Sequence, residues 1–243
     1  MHRVYIDKDS ALVVYPEKQT IYKSSLKDSD GSKKYDSISL MYRIEGLGFS
    51  KTTYFFRGED SLHNAAYFTL MKNQNKDSLK FKKNNIIENT RKGLIADDGF
   101  FISSTDYSVF AKYHKNEFFI MDDIENKKIK TIANKVAYPR IHESERGTVT
   151  IMGEVNFKNL RGTIDNNTLY LQSGVKADNE KAFRFKFNSI IDTYNLNKEA
   201  TTYQNSFYIP SYAGVKCNSF MVKDNILYAI YGNYLITYTI DNE

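Results

Sequence analysis

"KDNILYAIYGNYLITYTID", residues 223–241, opens on a polar turn at Asp224 and Asn225 and runs into apolar residues. It reverses at Gly232 and Asn233 and closes on an alternating run. Asp, Asn and Gly tolerate the positive φ that tight two-residue turns demand, so the stretch reads as successive hairpins. Its first half recurs upstream as "ADDGFFISS" at 96–104 and "DNNTLYLQS" at 165–173. Around each copy the order is the same: strand, Asp/Asn turn, apolar strand with Tyr or Phe, a gap, another strand, polar turn. A meandering four-stranded blade is written this way.

The rest of the chain agrees with an all-β reading. Helical periodicity is scarce, and most apolar runs are short, aromatic or β-branched, with Asn, Asp, Gly or Ser at their ends. The early runs are Val4–Ile6, Ala11–Tyr15, Thr20–Ser24, Ile38–Ile44 and Thr53–Arg57. A middle group comprises Tyr67–Met71, Leu79–Lys82, Gly93–Ala96, Phe100–Ser104, Phe118–Asp122 and Lys128–Ile132. Later runs are Thr148–Met152, Leu160–Ile164, Thr168–Ser173, Ala182–Phe187, Ile191–Asn195 and Ser206–Ile209, then Cys217–Val222, Ile226–Tyr231 and Tyr234–Ile240. "LHNAAYFTLMKN", 62–73, also fits a helical face, but strand-like segments on both sides favour a strand. The fold class expected is an all-β β-propeller of four-stranded antiparallel blades, with a β-sandwich as the alternative. A single domain, 1–243, is expected, with a first blade possible outside it. Residues 136–160 are the place for strands beyond the three copies. The copies recur at roughly 60-residue spacing, against about 40–50 in familiar propeller repeats, which gives only about four blades.

Composition narrows the functional classes. The chain has 243 residues, 14% of them aromatic, with Tyr 19 and Phe 16 and no Trp, which suits half-buried pleated surfaces. The net charge of +5 is mild for this length and does not by itself argue for nucleic acid. Cys217 is the only cysteine, so no internal disulfide can form. Its setting in "GVKCNSF" reads as a small packed side chain rather than a nucleophile. No apolar run reaches the ~18 residues of a membrane span, and the N-terminal stretch lacks a signal-peptide pattern.

The C-terminal third, "YQNSFYIPSYAGVKCNSFMVKDNILYAIYGNYLITYTI", resembles the closing blades of six-bladed propellers of the Bacteroidetes TolB-like and NHL-like lipoproteins. "GLIADDGFFISSTDYSVFAKY" is similar in kind. The resemblance implies a binding scaffold at the periplasm or cell surface, lipid-anchored in a longer precursor. The lipoprotein cysteine of that family is absent from this sequence.

No constellation carries chemistry. His2, His63, His114 and His142 are scattered, and "HESER" at 142–146 lacks the second histidine of a zinc-protease helix. Asp97–Asp98 and Asp122–Asp123 fall where turns are expected. "GLG" at 46–48 is too short for a phosphate loop, "RGED" at 57–60 reads as a turn, and "DSDGS" at 28–32 lacks the glutamate of a calcium loop. "KDSLKFKKNN", 76–85, and "KAFRFKF", 181–187, alternate aromatic and basic residues, as edge strands protected by lysine do. No catalytic, cofactor-binding or metal-binding residue is therefore assigned, and no cofactor is expected. The function expected is non-catalytic binding of a protein, peptide or glycan on loops and funnel. The alternative is a carbohydrate-active hydrolase or lyase with funnel carboxylates, and a third reading has a partner chain supplying a missing blade.

Two structural expectations follow. Phe100, Leu169, Tyr170, Ile226 and Tyr228 should occupy equivalent inner or second strands and pack between blades. Tyr234–Ile240, apolar on one face, should be paired by Val4–Ile6 or Ala11–Tyr15.

Overall fold

Within each sheet of the described residues, strands lie side by side in chain order and pair antiparallel, several of them across tight turns. The computed structural model describes residues 3–7, 10–15, 18–26, 36–39, 44–59, 65–71, 82–83, 98–121, 126–131, 140–145, 148–152, 157–197 and 200–240. Strands β1 (Arg3–Asp7), β2 (Ser10–Tyr15), β3 (Thr20–Ser25) and β4 (Asp36–Ser39) make the first sheet, in that order. The second holds β5 (Ile44–Phe49), β6 (Thr53–Glu59), β7 (Ala65–Met71) and β8 (Lys82–Lys83). The third holds β9 (Gly99–Ser103), β10 (Ser108–Lys112), β11 (Glu117–Met121) and β12 (Asn126–Lys130). A two-stranded ribbon follows, β13 (Arg140–Glu143) with β14 (Val149–Met152). The fifth sheet is β15 (Asn159–Asp165), β16 (Thr168–Ser173), β17 (Ser189–Leu196) and β18 (Thr201–Ile209). The sixth, with three strands, is β19 (Ser219–Lys223), β20 (Ile226–Tyr231) and β21 (Tyr234–Thr239).

The chain forms two compact units, and the third sheet contributes residues to both. One comprises Met1–Leu94, Ser103–Val109 and Ile120–Asn126; the other Ile95–Ile102, Phe110–Phe119 and Lys127–Glu243. In the first unit, alternation along β2 buries Leu12 and Val14, and β3 adds Ile21 opposite Val14. These pack with Leu47, Phe49, Tyr54, Phe56, Ala66, Phe68 and Leu70 of the second sheet. Phe49 N–H donates to Ser103 Oγ at 2.9 Å.

The second unit shows most clearly why the repeat exists. Asn166 and Asn167 (φ 45° and 63°) turn β15 into β16, and Asp224 and Asn225 (φ 51° and 60°) turn β19 into β20. These are the expected Asp/Asn hairpins, and the two equivalent turns touch. Asp165, 5% exposed, accepts the Asp224 backbone N–H at 3.0 Å and the Lys223 ammonium at 3.4 Å. The strands behind them form one core: Tyr170, Ile191 and Ile209 of the fifth sheet meet Phe220, Val222, Leu227, Ala229 and Tyr231 of the sixth. On the opposite face of the fifth sheet, Tyr194 meets Phe118 edge-on, with ring centroids 5.2 Å apart. Gly162 lets β15 approach β9 closely, since a Cβ there would stand 2.6 Å from Ile102 Cδ1.

Several expectations are corrected. Ala182–Phe187 is an α-helix, α1, rather than a strand. Helical winding stacks Phe183 on Phe187, four residues on, at 4.9 Å between centroids. Ile38–Ile44 divides between β4 and β5 of different sheets; the run contains no Gly, Pro or Asn to mark the break. Leu169, Tyr170, Ile226 and Tyr228 lie in second strands as expected, but Phe100 lies in β9, the first strand of its sheet. Ile226 and Tyr228 do not join the shared core, because Leu227, Ala229 and Tyr231 take the inward positions of β20. Val4–Ile6 and Ala11–Tyr15 pair with each other as β1 and β2, and β2 pairs on its second edge with β3; among the described residues the pairing found for β21 is with β20. Residues 136–160, where added strands were expected, hold the two-stranded 140–152 ribbon, and six sheets lie among the described residues where the copy spacing gave about four blades. Gly93–Ala96, Asp97 and Asp122–Asp123 lie outside the described residues.

Candidate functional site

The fifth and sixth sheets stack strand on strand. β15 meets β19 at the Asp165–Asp224 turn contact, and Tyr170 of β16 shares its core with Leu227 of β20. Ile191 of β17 and Ile209 of β18 belong to the same core, against which Ile236, Tyr238 and Ile240 pack from the β21 side, and among the described residues no strand follows β21 in its sheet. A groove of about 790 Å³ opens there. Tyr170 and Leu227 form its floor, Phe207 and Ile209 line the β18 side, and Tyr238 and Ile240 line the β21 side. Phe207, Tyr238 and Ile240 are only partly buried, so the groove continues the apolar core out to the surface.

A bulge shapes the β18 wall. Pairing runs Asp192 with Ser206 and then Tyr194 with Tyr203, so Gln204 and Asn205 together face Thr193. The extra residue turns Asn205 back onto Thr193, whose hydroxyl donates to Asn205 Oδ1 at 2.7 Å and accepts the Asn205 N–H at 3.2 Å. At the far end Tyr231 hydroxyl donates to Pro210 O at 2.7 Å and lies 3.1 Å from the Tyr238 hydroxyl. Burial, then the Tyr238 hydrogen bond, raises the Tyr231 phenol well above its ordinary pKa. The lining residues, Thr168 to Ile240, include no Asp, Glu, Lys or Arg. Such a surface presents aromatic faces, hydroxyls and amides.

The carboxylates lie elsewhere. Asp192, 5% exposed, accepts the Ser206 hydroxyl at 2.5 Å on the face of β17 turned away from the groove. Burial pushes its carboxyl pKa up, against the Ser206 hydrogen bond, and the Glu180 charge adds to the rise. Glu117 is held between Lys112 Nζ at 2.8 Å and Lys128 Nζ at 2.9 Å, with both ammoniums near the Phe119 ring. This cluster joins β10, β11 and β12 and reads as structural. Asp98 is turn-like: its carboxylate accepts the Gly99 N–H at 2.8 Å.

Cys217 is buried in the shared core, donates to Ser219 O at 3.0 Å, and has its thiol pKa raised by burial. His114 is buried beside Phe157, with ring centroids 4.9 Å apart, whereas His142 lies exposed in β13. His2 and His63 lie outside the described residues. Among the described residues no group of three or more His, Cys, Asp or Glu side chains could hold a metal ion. No described helix is long and apolar enough to cross a membrane. Sequence reasoning missed the groove; its only local signal is the alternation of Ile236, Tyr238 and Ile240.

Comparison with solved structures bears on this arrangement of meanders. Hsv2 from Kluyveromyces marxianus aligns over 100% of this chain and 63% of its own, at 12% identity and a TM-score of 0.50. The fold is that of a β-propeller. Apo AztD from Citrobacter koseri aligns at 11% identity over 98% of this chain and 56% of its own, with a TM-score of 0.46. A putative 6-phosphogluconolactonase from Bacteroides fragilis aligns at 11% identity over 98% of this chain and 70% of its own, with a TM-score of 0.44. This chain thus spans less than two thirds of the length of Hsv2. No protein-family model matches the sequence, and no curated protein matches it. The likeness supports the propeller fold.

Proposed function

We propose that this chain is a non-catalytic binding scaffold that holds an uncharged segment of a protein, peptide or glycan in the groove between β18 and β21. One observation carries the reading: the groove is large, walled by Phe207, Tyr238 and Tyr170, and bordered by the Thr193 and Asn205 polar groups without any charged side chain. Ligand sites are typically mostly apolar concavities of ~300–1,000 Å³ with a few placed polar groups. A glycoside hydrolase needs two carboxyl groups flanking one bond, and this groove has none.

The reading is tested by titrating ¹⁵N-labelled protein with neutral oligosaccharides and uncharged peptides while assaying the same mixtures for cleavage. Saturable shifts of the Thr193, Asn205 and Tyr238 amides, without turnover, are expected. Cleavage of any bound oligosaccharide, or ligands that shift only distant residues, would overturn it.

A further inference from the structure

We infer that the groove takes an extended, uncharged polypeptide strand of a partner protein, which pairs with the free edge of β21 as the fourth strand of the last sheet. This inference rests on the groove being the binding site. Among the described residues, four of the other sheets have four strands, whereas the last has three and ends at β21. The Ile240 N–H bonds back to Asn225 O at 2.9 Å, continuing the β20–β21 ladder. Residues alternate along a strand, so the backbone groups of Leu235, Thr237 and Thr239 point to the opposite side, away from β20.

Natural edges are ordinarily guarded by lysine, proline or a bulge. Tyr234–Thr239 reads YLITYT, with no charge and no proline, and its pairing with β20 is unbroken in register. The groove, with β18 as its other wall, adjoins the Tyr238–Ile240 end of this edge. A strand laid there would extend the ladder by its backbone and point every second side chain at Phe207, Tyr238 and Ile240. The neutral lining selects an uncharged sequence, apolar at alternate positions, because a charge buried there would lack a partner. Backbone pairing supplies affinity and alternate pockets supply selectivity, as in other strand-addition complexes.

The same overhang argues against a second copy as the occupant. Two chains joined by their β21 edges about a two-fold axis normal to the sheet would each carry β18 into the space over the other's β21. A single strand meets no such obstacle. Six residues of β21 offer an edge of roughly 20 Å.

The probe is an acetylated, amidated seven-residue peptide of alternating Val and Thr, joined to fluorescein through glycine and read by fluorescence anisotropy on the full chain. Saturable binding is expected. It should weaken at least tenfold when the probe's alternate amides are N-methylated, which removes donors but keeps side chains. Thr237→Pro should weaken it similarly, since proline is tolerated where an edge N–H faces solvent. Asn205→Arg lies on the other wall and provides an independent variant; it too should weaken binding tenfold. Both variants should keep the wild-type circular dichroism. Binding indifferent to N-methylation and to both variants would overturn the inference. So would a neutral hexasaccharide taking the groove in the peptide's place, although the binding reading would then stand. Failure of both probes would overturn the two together, and self-association abolished by Thr237→Pro without peptide binding would overturn strand addition alone.

Discussion

Replacing Glu117 by Gln isolates the energetics of a buried ion pair in the third sheet. The side chain of Lys112 is 2% exposed and that of Glu117 8%, whereas that of Lys128 is 46% exposed. Gln keeps the shape and removes the charge, so the buried Lys112 loses the Glu117 carboxylate at 2.8 Å. Breaking a buried pair from one side costs ~3–5 kcal/mol, whereas an exposed pair contributes ~0–1 kcal/mol. Urea unfolding at pH 7 should therefore show Glu117→Gln losing about 3 kcal/mol or more, and Lys128→Gln less than about 1 kcal/mol. The double variant Lys112→Met, Glu117→Leu should stand close to wild type, because it removes both desolvation costs along with the attraction. The pH dependence provides a second test. Burial works to raise the Glu117 pKa, but the hydrogen bonds and charges of Lys112 and Lys128 outweigh it and hold the carboxyl below its ordinary value. A depressed folded pKa stabilises the fold above the unfolded value, about 4.3 for Glu, and that stabilisation is lost as pH falls through the folded value. The gap between wild type and Glu117→Gln should stay level near neutrality and narrow in acid below about pH 4. Equal, small losses in Glu117→Gln and Lys128→Gln, or a gap independent of pH, would refute this reasoning.

Tyr231→Phe deletes a buried hydroxyl that bonds Pro210 O and Tyr238. It should cost about 1–3 kcal/mol in urea, since Pro210 O lies beside it. Gly162→Val should cost more than about 1 kcal/mol by overpacking, because its Cβ would meet both Ile102 Cδ1 and the Tyr170 carbonyl. The thermal midpoint of this variant would be the readout. At the left-handed position Asn225, Gly should be neutral or nearly so, whereas Val should destabilise by roughly 1–2 kcal/mol. Cys217 should resist a bulky aromatic disulfide reagent in native buffer and react at once in urea; rapid native labelling would contradict its burial.

Much of the fold was legible because local chemistry and tertiary role coincide at the turns. Asn166–Asn167 and Asp224–Asn225 announce positive φ, and the runs beside them alternate as half-buried strands must. The failures have physical causes. In "KAFRFKF" the phenylalanines fall at every second position, which imitates a strand; at 183 and 187 they also lie one helical turn apart, and the helix uses that spacing. Within 136–160 the strand at Thr148–Met152 was legible, whereas Arg140–Glu143, only four residues long, was too short to show a period. The groove was the least visible feature. It arises where four strands stack on three, and only the stacking of two sheets produces that mismatch. The apolar face of β21 did signal that its edge calls for a neighbour, but the described pairings of the N-terminal strands assigned to it are within the first sheet.

The vacancy beside β21 is the central claim, and amide hydrogen exchange followed by NMR tests it most directly. In the unliganded chain, the amides of Ile236, Tyr238 and Ile240, which face β20, should be protected, while those of Leu235, Thr237 and Thr239 exchange near unprotected rates. Equal protection of both sets would show that the edge already has a partner, contradicting the groove as an open strand site.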